Sequence, residues 1–261
     1  MTSKKSLLFV LFFAVIALSS ALLTGCGEYS DSLQRILAED RIIFGVEPDN
    51  LPMSFDSQGE AGGYSAELGR EMAARLNVEA EFVYVSPSDV QQALDEGLID
   101  VYINLPSPGL METASMLTVD CGTDYRQIMV VPSDSDVSRL YDLSGKTLCV
   151  ISGSDAAASL DSAEVFKGDL AGIIWCETAS EQFDALDSGK AQGMLIDEPM
   201  YQYIMNGVDS DYTVLRELLS QTPFIFAMRH QDHRLADRIE SLLEDMRSDG
   251  TLEKIRTGWF G

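Results

Sequence analysis

The sequence predicts an α/β fold made of two similar lobes. In residues 41–103, and again in residues 147–196, short apolar runs that suit buried strands alternate with stretches whose apolar residues recur at helical spacing. Such alternation is typical of parallel βαβ units. The two halves also echo each other, since ALDEG at 93–97 recurs as ALDSG at 185–189, each time ahead of a strand.

The first half begins with a predicted helix over 31–39 and a buried strand over 41–46, and residues 49–52 follow as a loop that breaks the strand. A second predicted helix, over 66–76, carries one apolar face formed by Leu68, Met72, Ala73 and Leu76. Then follow a strand over 78–85, a short helix that Ser88 or Asp89 can cap and Gly97 can end, and a strand over 98–103.

The second half repeats this order. The predicted elements are a strand over 147–151, a small-residue helix over 155–160, a strand over 172–176, a helix over 180–186 that ends before Gly189, and a strand over 192–196. A further strand is expected over 224–228. The amphipathic helix predicted over 235–247 turns Leu235, Ile239, Leu242, Leu243 and Met246 inward.

The chain is strongly acidic, with 18 Lys and Arg against 42 Asp and Glu and a formal net charge of −24. Clustered Lys and Arg are what bind nucleic acid phosphates and anionic lipids, so nucleic acid partners are not expected. The acids are scattered and 46% of the residues are hydrophobic, which indicates a folded protein with a solvated acidic surface.

The N-terminal segment has the layout of a secretory signal. Lys4 and Lys5 precede an apolar run, which ends in the residues LTGC at 23–26. This sequence resembles the lipobox of bacterial lipoproteins, which implies that residues 1–25 are a signal peptide, that Cys26 is diacylated, and that 26–30 is a lipidated tether. The alternatives are an uncleaved anchor helix and an ordinary cleaved signal. All three place the following domain outside the cytoplasm, at the periplasm or the outer cell surface, and the lipobox adds an anchor in the cell membrane.

Three further cysteines are Cys121, Cys149 and Cys176. Outside the cytoplasm a disulfide between Cys149 and Cys176 is possible, because both lie in strand-like segments of the same half. His230 and His233 form only a weak two-histidine pattern, so neither a metal nor a cofactor is expected.

Six segments resemble family 3 of the bacterial extracellular solute-binding proteins, and they occur in the family's order. They are GVEPDNLPMSF at 45–55, GYSAEL at 63–68, ALDEGLIDV at 93–101, DLSGKTLCVISG at 142–153, DEPMYQY at 197–203 and DGTLEKIRTGWFG at 249–261. The resemblance implies a two-lobed periplasmic-binding-protein-like fold (type II) with two crossing hinge strands. Lobe 1 would hold 31–127 and 223–261, and lobe 2 would hold 128–222. The implied protein is a monomer that captures a small polar solute between its lobes for an ABC permease in the membrane.

The resemblance also implies which residues of lobe 1 contact the solute. In the loop after the first strand the family usually supplies an aromatic wall, where this chain has Glu47, Asn50 and Met53. A turn asparagine and a surface glutamate are the alternative interpretation. After the strand that ends near Ile103, the family places a hydroxyl and then an arginine that clamps the α-carboxylate of the ligand.

Asn104 and Ser107 lie in that second loop, and Ser107 can stand for the hydroxyl. Thr113 occupies the position of the arginine, which weakens the case for an ordinary α-amino acid as ligand. Arg126, beside Tyr125 at the first crossing, is the nearest basic candidate to replace it. The alternative is a hinge arginine that pairs with a local acid.

In lobe 2, Gly153, Ser154 and Asp155 open a helix whose free amides favour an anion, unless Asp155 itself caps that helix. Asp197 matches the family aspartate that accepts hydrogen bonds from the ligand ammonium, and the alternative is a structural cap. Tyr201 is a secondary candidate for stacking on the ligand.

Two other function classes compete with import. One is a sensing lipoprotein that signals to a separate membrane protein, and the other is a dehydratase-type enzyme on the same fold. Catalysis is not expected, because no nucleophile arrangement of His, Cys or Ser is visible in the sequence.

Overall fold

The computed structural model describes residues 31–104, 115–209 and 211–261, and it shows a mixed α/β protein. The strands are β1 (Arg41–Val46), β2 (Asp49–Asn50), β3 (Ser54–Ser57), β4 (Glu60–Gly62), β5 (Glu79–Tyr84), β6 (Val101–Asn104), β7 (Met116–Pro132), β8 (Thr147–Ile151), β9 (Gly172–Cys176), β10 (Gly193–Asp197) and β11 (Tyr212–Arg229). The α-helices are α1 (Ser32–Glu39), α2 (Tyr64–Leu76), α3 (Val90–Asp95), α4 (Asp155–Ser162), α5 (Glu164–Gly168), α6 (Ala179–Asp187), α7 (Glu198–Met205), α8 (His233–Ser248) and α9 (Thr251–Phe260).

Eight strands form one sheet in the order β5-β1-β6-β11-β7-β10-β8-β9, and β2, β3 and β4 form a small separate sheet. At one end of the large sheet β1 pairs in parallel with β5 and β6, and at the other end β8 pairs in parallel with β9 and β10. The βαβ units predicted from the sequence therefore form two parallel groups.

The long antiparallel strands β7 and β11 join these two groups. Near β6, residues Met116–Asp120 of β7 pair with Ile225–Arg229 of β11, whereas near β10 the partners of β7 are residues 212–220 of β11. The register shifts between Pro223 and Ile225, where Gly122 on the opposite strand has a φ of 74°. A non-glycine residue is strained at that backbone conformation, so the bulge at the crossing depends on this glycine.

The buried apolar residues lie in separate clusters on the two sides of the crossing. The largest cluster packs α1, α2, α8 and α9 against β1 and β6, and two others surround β8 and β10. The five residues of α8 predicted to face inward are all buried, as are the four of α2. Full burial of one such leucine contributes about 1.5–3 kcal/mol, which makes α8 a principal support of its cluster.

A buried acid stabilises the cluster near the N-terminus of the described chain. Asp100 has no exposed surface, accepts a hydrogen bond from the N–H of Ile43 at 3.0 Å, and forms an ion pair with Arg35. Arg229 lies 3.8 Å away and pairs with Asp232 at 2.8 Å. Burial raises the pKa of Asp100 despite these two arginines, each of which also pairs with a second acid, Glu39 for Arg35 and Asp232 for Arg229.

The C-terminal helix α9, which was not predicted from the sequence, contacts α7. The ring of Trp259 stacks on that of Tyr203 with centroids 6.3 Å apart. The indole Nε1 of Trp259 donates to Glu67 Oε2 at 2.7 Å. Trp259 thus links α9 both to α2 and to the helix that follows β10.

The disulfide considered between Cys149 and Cys176 is not formed, and both are free, buried thiols. Cys149 is opposite Ile174 in the parallel pair of β8 and β9, and Cys176 lies two residues further along. The spacing of strands and residues separates such diagonal positions by about 8 Å between Cα atoms, whereas bridged cysteines stay within about 7 Å. The strand register therefore explains why Cys149 and Cys176 do not form the disulfide considered from the sequence.

Within the described residues, no helix has the length and apolarity needed to cross a bilayer. In the same part of the chain, no cluster of three or more His, Cys, Asp or Glu side chains could hold a metal ion. The rings of His230 and His233 lie 6.2 Å apart at the start of α8.

Candidate functional site

A cavity of about 350 Å³ opens where the carboxyl ends of β1, β8 and β10 converge on the crossing strand β7. Its wall contains residues from both parallel groups, together with Tyr125 of β7. The carboxyl ends of parallel strands are where open α/β sheets bind ligands, because loops and helix N-termini meet there. Six of the residues predicted to contact the solute line this cavity: Glu47, Asn50, Gly153, Ser154, Asp155 and Asp197.

Asp197 lies at the end of β10, where Gln127 Nε2 donates to its Oδ1 at 3.0 Å. This hydrogen bond favours the ionised carboxylate and so lowers the pKa of Asp197. Burial, reinforced by the negative charge of Asp155, nevertheless raises the pKa of Asp197 to about 7. This acid is therefore poised to lose or gain a proton near neutral pH.

Both crossing strands hold Gln127 in place. Ser220 Oγ of β11 donates to Gln127 Oε1 at 2.6 Å, and Ser159 Oγ of α4 donates to Ser220 Oγ at 3.1 Å. With its oxygen occupied in this way, the Gln127 amide turns its Nε2 donor toward Asp197. The chain of hydrogen bonds fixes the Asp197 carboxylate relative to the hinge.

The N-terminus of α4 is capped by Ser154, not by Asp155. Ser154 Oγ accepts from the N–H of Ala157 at 3.1 Å, whereas Asp155 is the first residue of the helix. The Ala157 amide at the start of this helix is therefore already bound within the protein. Burial raises the pKa of Asp155, which also lies on the cavity wall.

Glu47 and Asn50 occupy the opposite wall, in the loop after β1. Glu47 Oε1 accepts from the hydroxyl of Tyr102 at 3.0 Å, and its Oε2 accepts from Asn50 Nδ2 at 3.2 Å. Asp49 also lines the cavity. The loop after β1 thus presents two carboxylates rather than an aromatic wall.

Gln182 of α6 lies beneath the cavity with no exposed surface. Its Nε2 donates to the carbonyl oxygens of Leu195 at 2.9 Å and Cys149 at 3.2 Å, which fixes the orientation of the amide. Its Oε1 is buried and has no hydrogen-bond partner among the described residues. A buried acceptor left unpaired is costly, so a donor supplied by a bound molecule would stabilise this side chain.

The described wall of the cavity is anionic. It contains the four carboxylates of Glu47, Asp49, Asp155 and Asp197 and, among the residues placed there, no Lys, Arg or His. The sequence LPSPGLMETA at 105–114, which lies outside the described residues, also contains no basic residue. Such a site favours a positively charged ligand.

Met53 and Tyr201 do not line this cavity. Met53 is 2% exposed and packs in the largest apolar cluster, as its apolar side chain favours, and Tyr201 packs against the cluster around β10. Asn104 is the last residue of β6, where its backbone is opposite Ile225. Ser107 and Cys26 lie outside the described residues.

Arg126 points to a second cavity, of about 520 Å³, rather than to the anionic one. Its Nε and Nη2 donate to the two carboxylate oxygens of Glu198 at 2.6 and 2.7 Å. This bidentate pair corresponds to the alternative interpretation of Arg126 as a hinge arginine. Its guanidinium is thereby directed away from Asp197.

Sequence reasoning missed Gln127, Gln182 and Asp49. One signal pointed to Gln182, because it shares the inward face of α6 with Ala185 and Leu186, three and four residues later. A polar side chain in such an apolar stripe indicates a buried hydrogen-bonding role.

Comparison with known proteins shows similarity to bacterial solute-binding proteins over nearly the whole chain. A family model of the bacterial extracellular solute-binding proteins, family 3, matches residues 42–261. The probable amino-acid ABC transporter-binding protein of Haemophilus influenzae is 24% identical over 98% of both chains. The ABC transporter glutamine-binding protein GlnH of Bacillus subtilis is 24% identical over 98% of this chain and 96% of its own.

Among solved structures, an ancestral cationic amino acid solute binding protein, AncCDT-1, superimposes with a TM-score of 0.75 and 25% identity. The alignment covers 88% of this chain and 100% of the ancestral protein. AncCDT-1 also has a second solved structure, in whose description it is a precursor of cyclohexadienyl dehydratase. The two-lobed fold predicted from the sequence is confirmed by this similarity.

Proposed function

Since the chain belongs to family 3 of the bacterial extracellular solute-binding proteins, we propose that the anionic cavity is the site where it captures a small polar solute for an ABC importer. The observation that carries this proposal is the convergence of Glu47 and Asn50 with Gly153–Asp155 and Asp197 on one cavity. These residues come from the two parallel strand groups that β7 and β11 connect.

The two groups act as the lobes of the receptor. We assign 31–127 and 223–261 to lobe 1 and 128–222 to lobe 2, because the register shift between Pro223 and Ile225 lies close to these limits. Bending at β7 and β11 would close the cavity over the solute, and the closed form would be the one that the permease accepts.

The receptor works outside the cytoplasm as a monomer held by lipid on Cys26. The support for this anchor is the LTGC sequence at 23–26, which follows a lysine-led apolar run. Diacylation supplies two chains, which is enough for stable membrane attachment.

Calorimetric titration of the full chain, purified in detergent, tests the binding site. A panel of amino acids, amines, dicarboxylates and sugars should contain a solute that binds with one-to-one stoichiometry. The Asp197→Asn variant should weaken that binding at least tenfold, while Asp237→Asn, which removes an exposed acid on α8, should leave it unchanged. Equal effects of the two substitutions would place the binding site elsewhere.

We propose that binding occurs without turnover, although the structural relative AncCDT-1 preceded a dehydratase. The bound solute should be recovered unchanged after prolonged incubation. Loss of the receptor should also reduce cellular uptake of that solute. Normal uptake together with a lost transcriptional response to the solute would instead support the sensing alternative.

A further inference from the structure

We propose that the solute is an organic amine without a carboxylate group, rather than an α-amino acid. This inference rests on the proposed function of the anionic cavity and specifies its ligand.

First, nothing on the described wall can neutralise a carboxylate. The charged side chains there are Glu47, Asp49, Asp155 and Asp197. Arg126, the nearest basic candidate, is held by both oxygens of Glu198. A ligand carboxylate would therefore enter a field of like charges without a partner, which is unfavourable in a partly desolvated site.

Second, the protein's own groups are already at the helix N-terminus that could bind an anion. The N–H of Ala157 donates to Ser154 Oγ, and Asp155 is the first residue of the helix and lines the cavity. The protein has thus placed its own acid in the first turn, where the amides and the helix dipole would otherwise favour a carboxylate from the ligand. A ligand carboxylate would meet Asp155 there.

Third, the cavity wall is rich in hydrogen-bond acceptors. Besides the four carboxylates, Gln182 Oε1 is buried without a partner in the described part of the chain, and its amide is held because Nε2 is bound to two carbonyls. An ammonium group carries only donors and a positive charge. It would satisfy the cavity's carboxylates, whereas the α-carboxylate of an amino acid would add further acceptors and a further negative charge.

Three matched pairs of compounds test this inference, because each pair differs only in the carboxylate: lysine and cadaverine, arginine and agmatine, and histidine and histamine. Calorimetric titration of the full chain in detergent at pH 8 should show, for the pair that binds, an amine at least tenfold tighter than its parent amino acid. Asp197→Asn should abolish the amine binding, with Asp237→Asn as the control. Cooperative thermal unfolding of both variants would show that they are folded.

The outcomes separate the inference from the function on which it rests. If an amino acid binds as tightly as its amine or more tightly, or if a neutral or acidic solute is preferred, the inference is overturned while the cavity remains a solute site. If no solute of any class binds, or if Asp197→Asn leaves binding intact, the proposed function itself fails.

Discussion

Binding of an amine should strengthen steeply as the pH rises from 5 to 8, because the cation needs Asp197 in its ionised form. In the empty cavity burial raises the pKa of Asp197 to about 7, and Asp155 raises it further through charge repulsion. The other titratable groups around it are Tyr125, whose pKa is raised well above its usual value by burial, and Glu47 on the opposite wall.

The size of this pH effect on affinity follows from the fraction of molecules in which Asp197 is ionised. With a pKa of about 7, about 1% of Asp197 is ionised at pH 5 and about 90% at pH 8. The apparent dissociation constant should therefore fall about 90-fold between these values, since an aliphatic amine stays protonated throughout. Binding at pH 6 should release close to one proton, because the ligand fixes the ionised form.

Isothermal titration in two buffers of different ionisation enthalpy measures both the affinity and the released proton. Asp197→Asn should bind weakly and lose the pH dependence, and Asp237→Asn should retain it. An affinity that is constant from pH 5 to 8, or tighter at pH 5, would refute the assignment of Asp197 as the ionising partner of the solute.

Asp197→Asn should also change how the stability of the empty protein depends on pH. The raised pKa of Asp197 favours folding below about pH 4, and this contribution to the free energy of unfolding, at most about 4 kcal/mol, is lost as the pH rises to 7. Denaturant unfolding at pH 4 and 7 should thus show a smaller decline for Asp197→Asn than for the wild type, and parallel declines would contradict this. Arg126→Gln should lower the free energy of unfolding by about 1 kcal/mol or less and change solute affinity less than about threefold, because its ion pair is 42% exposed on the arginine side; a large loss of affinity would show that Arg126 binds solute. Asp100→Ala should cost about 1–3 kcal/mol in the same unfolding assay, because it leaves the N–H of Ile43 without its acceptor, and no measurable cost would exclude that role. Cys26→Ala should move the protein from the membrane fraction to the soluble fraction, and mass spectrometry of the wild type should show a diacylglyceryl adduct; unchanged fractionation would argue for another anchor.

The helices and the outer strands could be predicted from the sequence because their signals are local. The inward face of α8 is an apolar stripe at helical spacing, and β8 is a short apolar run. The crossing strands could not be delimited in the same way. The segment 116–132 contains Asp120, Gly122 and Asp124, which oppose strand formation locally, and it is a strand because β11 pairs with it along both lobes.

The site was partly predictable for a related reason. Asp197 ends β10 and Ser154 comes three residues after β8, and the carboxyl ends of parallel strands share one edge of the sheet. The hydrogen bond from Gln127 to Asp197 joins residues 70 positions apart, so no local pattern predicts it.

The stack of Trp259 on Tyr203 would report the proposed lobe movement optically. Trp259 belongs to the C-terminal helix of lobe 1 as assigned above, and Tyr203 lies in α7, which follows β10 in lobe 2. The chain has only one other tryptophan, Trp175, which is 47% exposed on the edge strand β9. In a Trp175→Phe protein, all indole emission would originate at the contact between the lobes, so stopped-flow fluorescence could time opening and closing without an attached dye.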